Sequence, residues 1–156
     1  MNRSIPLLLA ALLAACANTG MSQGERLALY SANAGEPVRS FRFLGRLNGW
    51  TPLGDSTLAV WTRPREAWLL ELSGGCPDLS YAHSIAITSS MNRVSVGFDR
   101  VRALGGNHPM AVPCQIREIR PLDTAAIRDA ERDMRAGGEV VAEPPEPEAQ
   151  SPDSGT

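Results

Sequence analysis

Short apolar runs separated by polar turns fill the middle of the chain, and this pattern predicts β-strands. Two of the runs, Thr57–Thr62 and Ala67–Leu72, flank a four-residue polar link and predict a β-hairpin in the core. In the run Arg93–Phe98 apolar and polar side chains alternate, so Val94, Val96 and Phe98 are expected to face inward. The other predicted strands are Phe41–Phe43, Ile85–Thr88 and Cys114–Ile119, the last with a bulge or a change of face near Glu118.

Helical periodicity is confined to the end of the patterned part of the chain. Asp123 is a suitable N-cap for a helix over Thr124–Arg135, in which Ile127 and Met134 lie on one apolar face. The pair Gly137-Gly138 is expected to end this helix. About six short strands and one C-terminal helix predict a mainly β fold, either a small antiparallel β-sandwich or a partly open barrel.

The N-terminus has the layout of a secretory signal peptide. Arg3 precedes an apolar run from Ile5 to Leu13, which is shorter than the about 20 residues that a membrane-spanning helix needs. The run closes with Leu13-Ala14-Ala15-Cys16, which resembles the lipobox of bacterial lipoproteins. By that resemblance the chain is cut before Cys16, a diacylglycerol is attached to its thiol, and the new amine is acylated. Anchoring by two or more acyl chains is stable, so the membrane itself is a predicted partner.

The same features predict where the protein lies and how the chain is divided. Ala17 stands where lipoproteins retained at the inner membrane carry aspartate, so we expect an anchor in the outer membrane that faces the periplasm. The stretch after Cys16 is small and polar, with room for one helical turn around Glu25–Tyr30, and the end of the chain is acidic and rich in Pro. Neither is expected to build a core. The predicted parts are a signal peptide (1–15), a tether (16–37), a β domain with the terminal helix (38–136) and a disordered tail (137–156).

The cysteines agree with export. Assigning Cys16 to the lipid leaves Cys76 and Cys114 as one possible pair, and an oxidising periplasm permits a disulfide between them. The alternative is a metal site or a reactive thiol, which two isolated cysteines without a neighbouring histidine ligand support poorly.

Charge gives little support for a nucleic-acid partner. All 15 basic residues are arginines, and the chain carries a formal net charge of −2. Between residues 41 and 121 nine arginines face six acids, a balance of +3, whereas the tail after Ala136 has five acids and no base. A balance of +3 is too weak to predict nucleic-acid binding, so the arginines are read as a solvated face.

Several short motifs together resemble a known family. They are Phe41-Arg42-Phe43, the strand Trp68–Leu72 with Cys76-Pro77-Asp78-Leu79 after it, Ile85–Ser89, and Cys114–Leu122 before the terminal helix. This order, from about Val38 to Ile127, resembles DUF6491, a proteobacterial family of small exported proteins of unknown function. The resemblance implies that Cys76 pairs with Cys114 and agrees with a β fold. It implies no catalytic residues and no known activity.

A search for chemistry finds little. A hydrolase could combine Ser80 or Ser84 with His83 and a nearby aspartate, Asp78 or Asp99, but no nucleophile motif accompanies them. The chain has two histidines, and their spacing makes no metal site. We therefore predict no catalytic residues, no metal and no cofactor.

Three tryptophans are the side chains that leave a binding function open. Their simplest role is core packing, but Trp61 and Trp68 could lie across the hairpin and, with Arg63 and Arg65 at its tip, contact an anionic or sugar partner. The first hypothesis is a non-enzymatic envelope lipoprotein that contacts an envelope protein or polymer. The second is a small-ligand binding module that uses the tryptophan face, and the third is a hydrolase of envelope material.

Overall fold

The computed structural model describes residues 20–105 and 112–138, and these form a mainly β fold with a helix at each end. A short 3-10 turn at Pro77–Tyr81 follows the fourth strand. The helices and strands are α1 (Gln23–Ala32), β1 (Ser40–Arg42), β2 (Gly49–Pro52), β3 (Thr57–Arg63), β4 (Glu66–Leu72), β5 (Ser84–Ile87), β6 (Arg93–Ser95), β7 (Arg100–Leu104), β8 (Cys114–Leu122) and α2 (Thr124–Gly138).

The described strands form two antiparallel sheets. Six of them make one sheet in the order β2-β3-β4-β8-β7-β5, and the remaining two, β1 and β6, pair as a ribbon. The large sheet has two open edges and does not close into a barrel. The mainly β prediction is confirmed, with eight strands in the described residues instead of about six.

The predicted β3–β4 hairpin is the centre of the large sheet. Leu58 faces Leu70 across the two strands, and Ala59 faces Leu69. Because side chains alternate between the faces of a sheet, these two pairs lie on opposite sides. Glu71 of β4 pairs with Glu118 of β8, whereas the next residue of β4, Leu72, pairs with Ile116. Strand β8 therefore has one extra residue at this point, and the bulge expected near Glu118 is confirmed.

The ribbon β1–β6 packs on one face of the large sheet. Phe41 pairs with Val94 across the ribbon, and both are buried against Leu58, Leu70 and their neighbours. We call this side the ribbon face. Its buried residues are Phe41, Phe43, Leu58, Val60, Leu70, Leu72, Cys76, Leu79, Val94, Val101, Ile116 and Ile119.

The two helices pack on the other side, which we call the helix face. Its buried residues are Tyr30, Leu53, Ala59, Ala67, Leu69, Leu122 and Ile127. Helix α2 begins as predicted, because the Asp123 carboxylate accepts hydrogen bonds from the backbone N–H groups of Ala125 (3.1 Å) and Ala126 (3.0 Å).

Helix α1 lies within the stretch that the sequence predicts as a tether, residues 16–37, and it is longer than the single helical turn expected around Glu25–Tyr30. Ser22 and Glu25 form a capping box, in which the Ser22 hydroxyl accepts from the Glu25 N–H (3.2 Å) and the Glu25 carboxylate accepts from the Ser22 N–H (2.8 Å). The chain after the helix is held by β8, since the N–H of Val38 donates to the carbonyl of Ile119 (2.8 Å). The folded part therefore begins near Ser22, and a C-terminal helix is not the only helix of the described residues.

Phe98 also differs from its prediction. Strand β6 ends at Ser95, where a tight turn begins in which Gly97 takes a φ of 79° and the Asp99 carboxylate accepts from the Ser95 N–H (2.7 Å). Val94 is buried as expected, but Phe98 follows the turn and is 85% exposed. The predicted signal peptide, Cys16 and the tail from residue 139 onward lie outside the described residues.

Candidate functional site

A groove of about 710 Å³ opens on the helix face between the two ends of the folded chain. Gly20 and Met21, just before α1, line the groove together with Arg26 and Tyr30 of α1. Strands β2 and β3 and helix α2 supply the rest, with Trp50, Trp61, Arg128, Glu131, Met134 and Arg135. Two segments about a hundred residues apart in sequence thus meet in one cleft.

An aromatic pair and one hydrogen bond hold the groove together. The rings of Tyr30 and Trp61 meet edge to face with centroids 6.0 Å apart. The Tyr30 hydroxyl donates to Glu131 Oε1 at 3.1 Å, so the bond joins α1 to α2. Tyr30 is only 3% exposed, and it therefore anchors α1 to the sheet as well as to α2.

Burial and the neighbouring carboxylate keep the Tyr30 phenol in its neutral form. Burial is the larger cause, Glu131 adds to it, and Arg26 opposes both, with the net effect of raising the pKa of Tyr30 to about 12. The hydroxyl therefore remains a hydrogen-bond donor to Glu131 at physiological pH, and the Glu131 carboxylate is engaged within the fold.

The groove carries an excess of positive charge. Arg26, Arg128 and Arg135 line it against the single acid Glu131, which gives three positive charges and one negative charge, or +2. Arg128 donates to two neutral backbone acceptors, the carbonyls of Pro64 (3.0 Å) and Thr124 (3.2 Å). Among the described residues, Arg26 and Arg135 are in no ion pair.

The structure separates the two tryptophans that the sequence grouped. Trp61 pairs with Ala67 and Trp68 pairs with Val60, so the two indoles lie on opposite faces of the sheet. Trp61 lines the groove on the helix face, whereas Trp68 stacks on Phe41 of the ribbon with centroids 5.0 Å apart. A single binding face that contains both is therefore not formed, and the Nε1 of Trp68 is buried without a hydrogen-bond partner in the described part of the chain.

The two arginines at the hairpin tip make contacts within the hairpin and with the start of α2. Arg63 pairs with Glu66 three residues later (3.1 Å), and 62% of its side chain is exposed. Arg65 contributes its backbone carbonyl, which accepts from the Thr124 hydroxyl at the start of α2 (3.2 Å). Neither arginine lines the groove, although Pro64 between them does.

Sequence reasoning missed the groove arginines and Tyr30. The local signal for α1 was present, because Ser22 and Glu25 have the Ser-x-x-Glu spacing of a capping box and precede Leu27 and Tyr30. The helical turn predicted around Glu25–Tyr30 includes Arg26 and Tyr30, but neither residue was assigned to a site. No local signal brings this helix next to α2, since their contact depends on the whole sheet.

The remaining predicted chemistry is distributed over the fold. The sulfurs of Cys76 and Cys114 lie at disulfide-bonding distance, with Cα atoms 6.4 Å apart. Ser80 donates to Asp55 (3.3 Å), and Asp99 is buried, where it accepts from the hydroxyl of Thr88 (2.8 Å). The backbone N–H of His83 donates to the carbonyl of Leu104 (3.1 Å), and its side chain is exposed.

A second, smaller cavity of about 360 Å³ lies by the edge strand β5. Its lining is mostly apolar and includes Phe43, Leu47, Ile85 and Ile87. No group of three or more His, Cys, Asp or Glu residues in residues 20–105 and 112–138 could hold a metal ion. Over the same ranges neither helix has the length and apolar character required to cross a bilayer.

Comparison with known proteins gives one match. The model of DUF6491, described as a family of unknown function, matches residues 1–138. This range includes the N-terminal segment and both helices. It is therefore longer than the stretch from about Val38 to Ile127 that carries the motifs. The searches of curated proteins and of solved structures returned no match.

Proposed function

This chain belongs to the DUF6491 family, and from that premise we propose that it is a lipid-anchored envelope protein that acts by binding and not by catalysis. Acylation at Cys16 holds it in the membrane, which we take to be the outer membrane because Ala17 follows the cysteine. The domain faces the periplasm, where Cys76 and Cys114 can be oxidised. Its contact surface is the groove between α1 and α2.

One observation carries the anchoring part of the proposal. The motif Leu13–Cys16 ends six residues before Ser22, where the capping box begins the folded domain. A cysteine in that position can be modified without disturbing the core, because from residue 20, where the described part begins, no buried residue of either face precedes Tyr30. The family match also extends to residue 1, so the N-terminal segment is part of what the family model describes.

The character of the groove supports binding as its role. Arginines and aromatic rings are the side chains that dominate contact sites, because they combine large contact area with charge or hydrogen bonding. Arg26 and Arg135 are in no ion pair within the described residues, and Trp61 and Tyr30 form a rigid wall beside them. The acid in the groove, Glu131, is engaged with Tyr30, and so the free charges are positive.

Mass spectrometry of the chain purified from membranes of a Gram-negative host tests the anchor. We expect the N-terminal residue to be Cys16, with a thioether-linked diacylglycerol and an acylated amine. A Cys16→Ser chain is the matched control, and it should carry no acyl mass and should no longer be cut before residue 16. An intact Met1 without an acyl mass at Cys16 in the unsubstituted chain would contradict the proposal.

A further inference from the structure

We propose that the groove between α1 and α2 binds the phosphate headgroup of an anionic phospholipid in the membrane that holds the anchor. This inference rests on the proposed lipid attachment at Cys16 and names the ligand class of the groove. The acyl chains would then hold the protein in the membrane, while the headgroup would fix which side of the domain faces it.

The position of the anchor relative to the groove is the first argument. Gly20 and Met21 line the groove themselves, and Cys16 precedes Gly20 by only four residues. Four residues of extended chain span at most about 14 Å. A lipid on Cys16 therefore keeps this end of the groove close to the bilayer surface, whatever path the connecting residues take.

Charge is the second argument. The groove has a balance of +2. Arg26 on α1 and Arg135 on α2 both line it, and neither forms an ion pair with another residue of the described ranges. A guanidinium offers several N–H donors in a planar fork, which suits the oxygens of a phosphate. Each arginine close to an anionic bilayer also contributes to attraction by the negative surface.

The apolar rim of the groove is the third argument. Met21 and Met134 border the groove beside the arginines, and Met134 is 45% exposed. Trp61, which also lines the groove, is partly buried. Side chains that combine an apolar body with nearby cations are typical of surfaces that lie at the interface of a bilayer.

A vesicle-binding experiment tests the headgroup without help from the anchor. The mature chain from residue 16 with Cys16→Ser has no lipid and retains every described helix and strand. It is mixed with vesicles of phosphatidylglycerol and phosphatidylcholine or of phosphatidylcholine alone, and the bound fraction is measured by flotation. We expect binding to the anionic vesicles, and a loss of affinity of about tenfold or more for the double variant Arg26→Gln with Arg135→Gln.

The matched control removes the same charge elsewhere. Arg42 and Arg102 are exposed on β1 and β7 and do not line the groove, so Arg42→Gln with Arg102→Gln should retain most of the affinity. Equal loss in both double variants would overturn the proposal, because binding would then follow net charge alone. Failure to bind anionic vesicles would also overturn it. So would a groove that binds inorganic phosphate in a protein whose vesicle binding does not change when Arg26 and Arg135 are substituted.

The outcome is independent of the test for acylation. The vesicle experiment uses a chain without lipid, and the mass of the N-terminus is measured on the unsubstituted chain. An acylated Cys16 together with no vesicle binding removes the headgroup inference and leaves the lipoprotein proposal standing. Binding through Arg26 and Arg135 in a protein that carries no acyl group removes the anchor and leaves the groove as a membrane contact.

Discussion

The two faces of the large sheet are packed in different ways. On the ribbon face twelve buried residues, most of them large aliphatic or aromatic side chains, fill the space beneath β1 and β6. On the helix face seven buried residues include two alanines, Ala59 and Ala67, on neighbouring central strands. Alanines fill less space than the large side chains of the ribbon face, and the groove opens on this helix face, where Trp61 is one of its lining residues.

Under the proposed function, this difference separates the face that stabilises the fold from the face that binds. The ribbon face is also where the Cys76–Cys114 pair closes a loop, and its cluster draws on strands from the whole middle of the chain. The helix face is covered by the two ends of the folded chain, which are joined by the hydrogen bond from Tyr30 to Glu131 and by the bond from the Asp123 N–H to the carbonyl of Asn33 (2.9 Å). The proposed contact surface therefore lies on the side of the sheet that buries fewer residues.

Two adjacent leucines of β4 provide the sharpest test of this comparison. Leu70 faces the ribbon between Leu58 and Ile119, and Leu69 faces the helices beside Ala59; both are almost fully buried. We expect Leu70→Ala to lower the free energy of unfolding by about 4 kcal/mol, because its rigid neighbours cannot fill the cavity. Leu69→Ala should cost about 2–3 kcal/mol, since helices beside an open groove can move inward.

Urea unfolding of the mature chain, followed by circular dichroism, measures both values. Leu44→Ala is the control for loss of a leucine at the surface, because Leu44 is 61% exposed and should change the free energy by less than about 0.5 kcal/mol. Equal costs for Leu69→Ala and Leu70→Ala would mean that the two faces resist cavities equally, and the proposed difference in packing would be wrong.

The cysteine pair should stabilise the ribbon face without affecting the groove. Cys76 and Cys114 are 38 residues apart, and closing a loop of that size restricts the unfolded chain. We expect the double substitution Cys76→Ala with Cys114→Ala to cost about 3 kcal/mol, because the unfolded state regains that freedom. The measurement is urea unfolding of both chains, with and without a reductant.

The reductant supplies the internal control for this prediction. It should destabilise the unsubstituted chain toward the value of the double variant and leave the double variant unchanged. Vesicle binding through the groove should be the same in both chains under conditions where both are folded. A reductant effect on the double variant would show that the loss has a source other than the bond between these cysteines.

Local sequence pattern predicted the elements whose neighbours in space are also neighbours in sequence. The hairpin β3–β4 begins and ends within one residue of its prediction, because alternation and a short polar link define it. Asp123 starts α2 as expected for an N-cap. Phe98 was assigned to a strand by alternation alone, but Gly97 and the Asp99 carboxylate favour a turn, and a local hydrogen bond overrides the pattern.

The groove could not be predicted in the same way. Tyr30 and Glu131 are about a hundred residues apart, and only the sheet between them brings the two helices together. The prediction that Trp61 and Trp68 share a face is wrong, because Trp61 pairs with Ala67, the residue before Trp68. An offset of one residue across a hairpin moves a side chain to the other face. Charge counts over the sequence also hid the groove, because Arg26 and Arg135 lie outside the central region in which arginines are in excess.

The smallest expected effect concerns the hydrogen bond that joins the helices, and it depends on pH. Tyr30→Phe should cost about 1 kcal/mol at neutral pH, because the hydroxyl no longer donates to Glu131. In the unfolded chain tyrosine titrates near pH 10, whereas the folded pKa of Tyr30 is raised to about 12. A raised pKa means that the contribution of this phenol is complete below about pH 10 and is lost as the pH rises toward 12.

The difference in stability between the unsubstituted chain and Tyr30→Phe should therefore shrink between pH 10 and pH 12. The chain has no lysine and only two tyrosines, so few other side chains titrate in this interval. Tyr81, which is 79% exposed, provides the control, and Tyr81→Phe should leave the slope of stability against pH as it is in the unsubstituted chain. Denaturant unfolding at pH 8, 10 and 11.5 measures the slope. A difference for Tyr30→Phe that stays constant over this range would mean that the phenol is as solvated in the fold as in the unfolded chain, and the helix face would then be more open than the burial of Tyr30 implies.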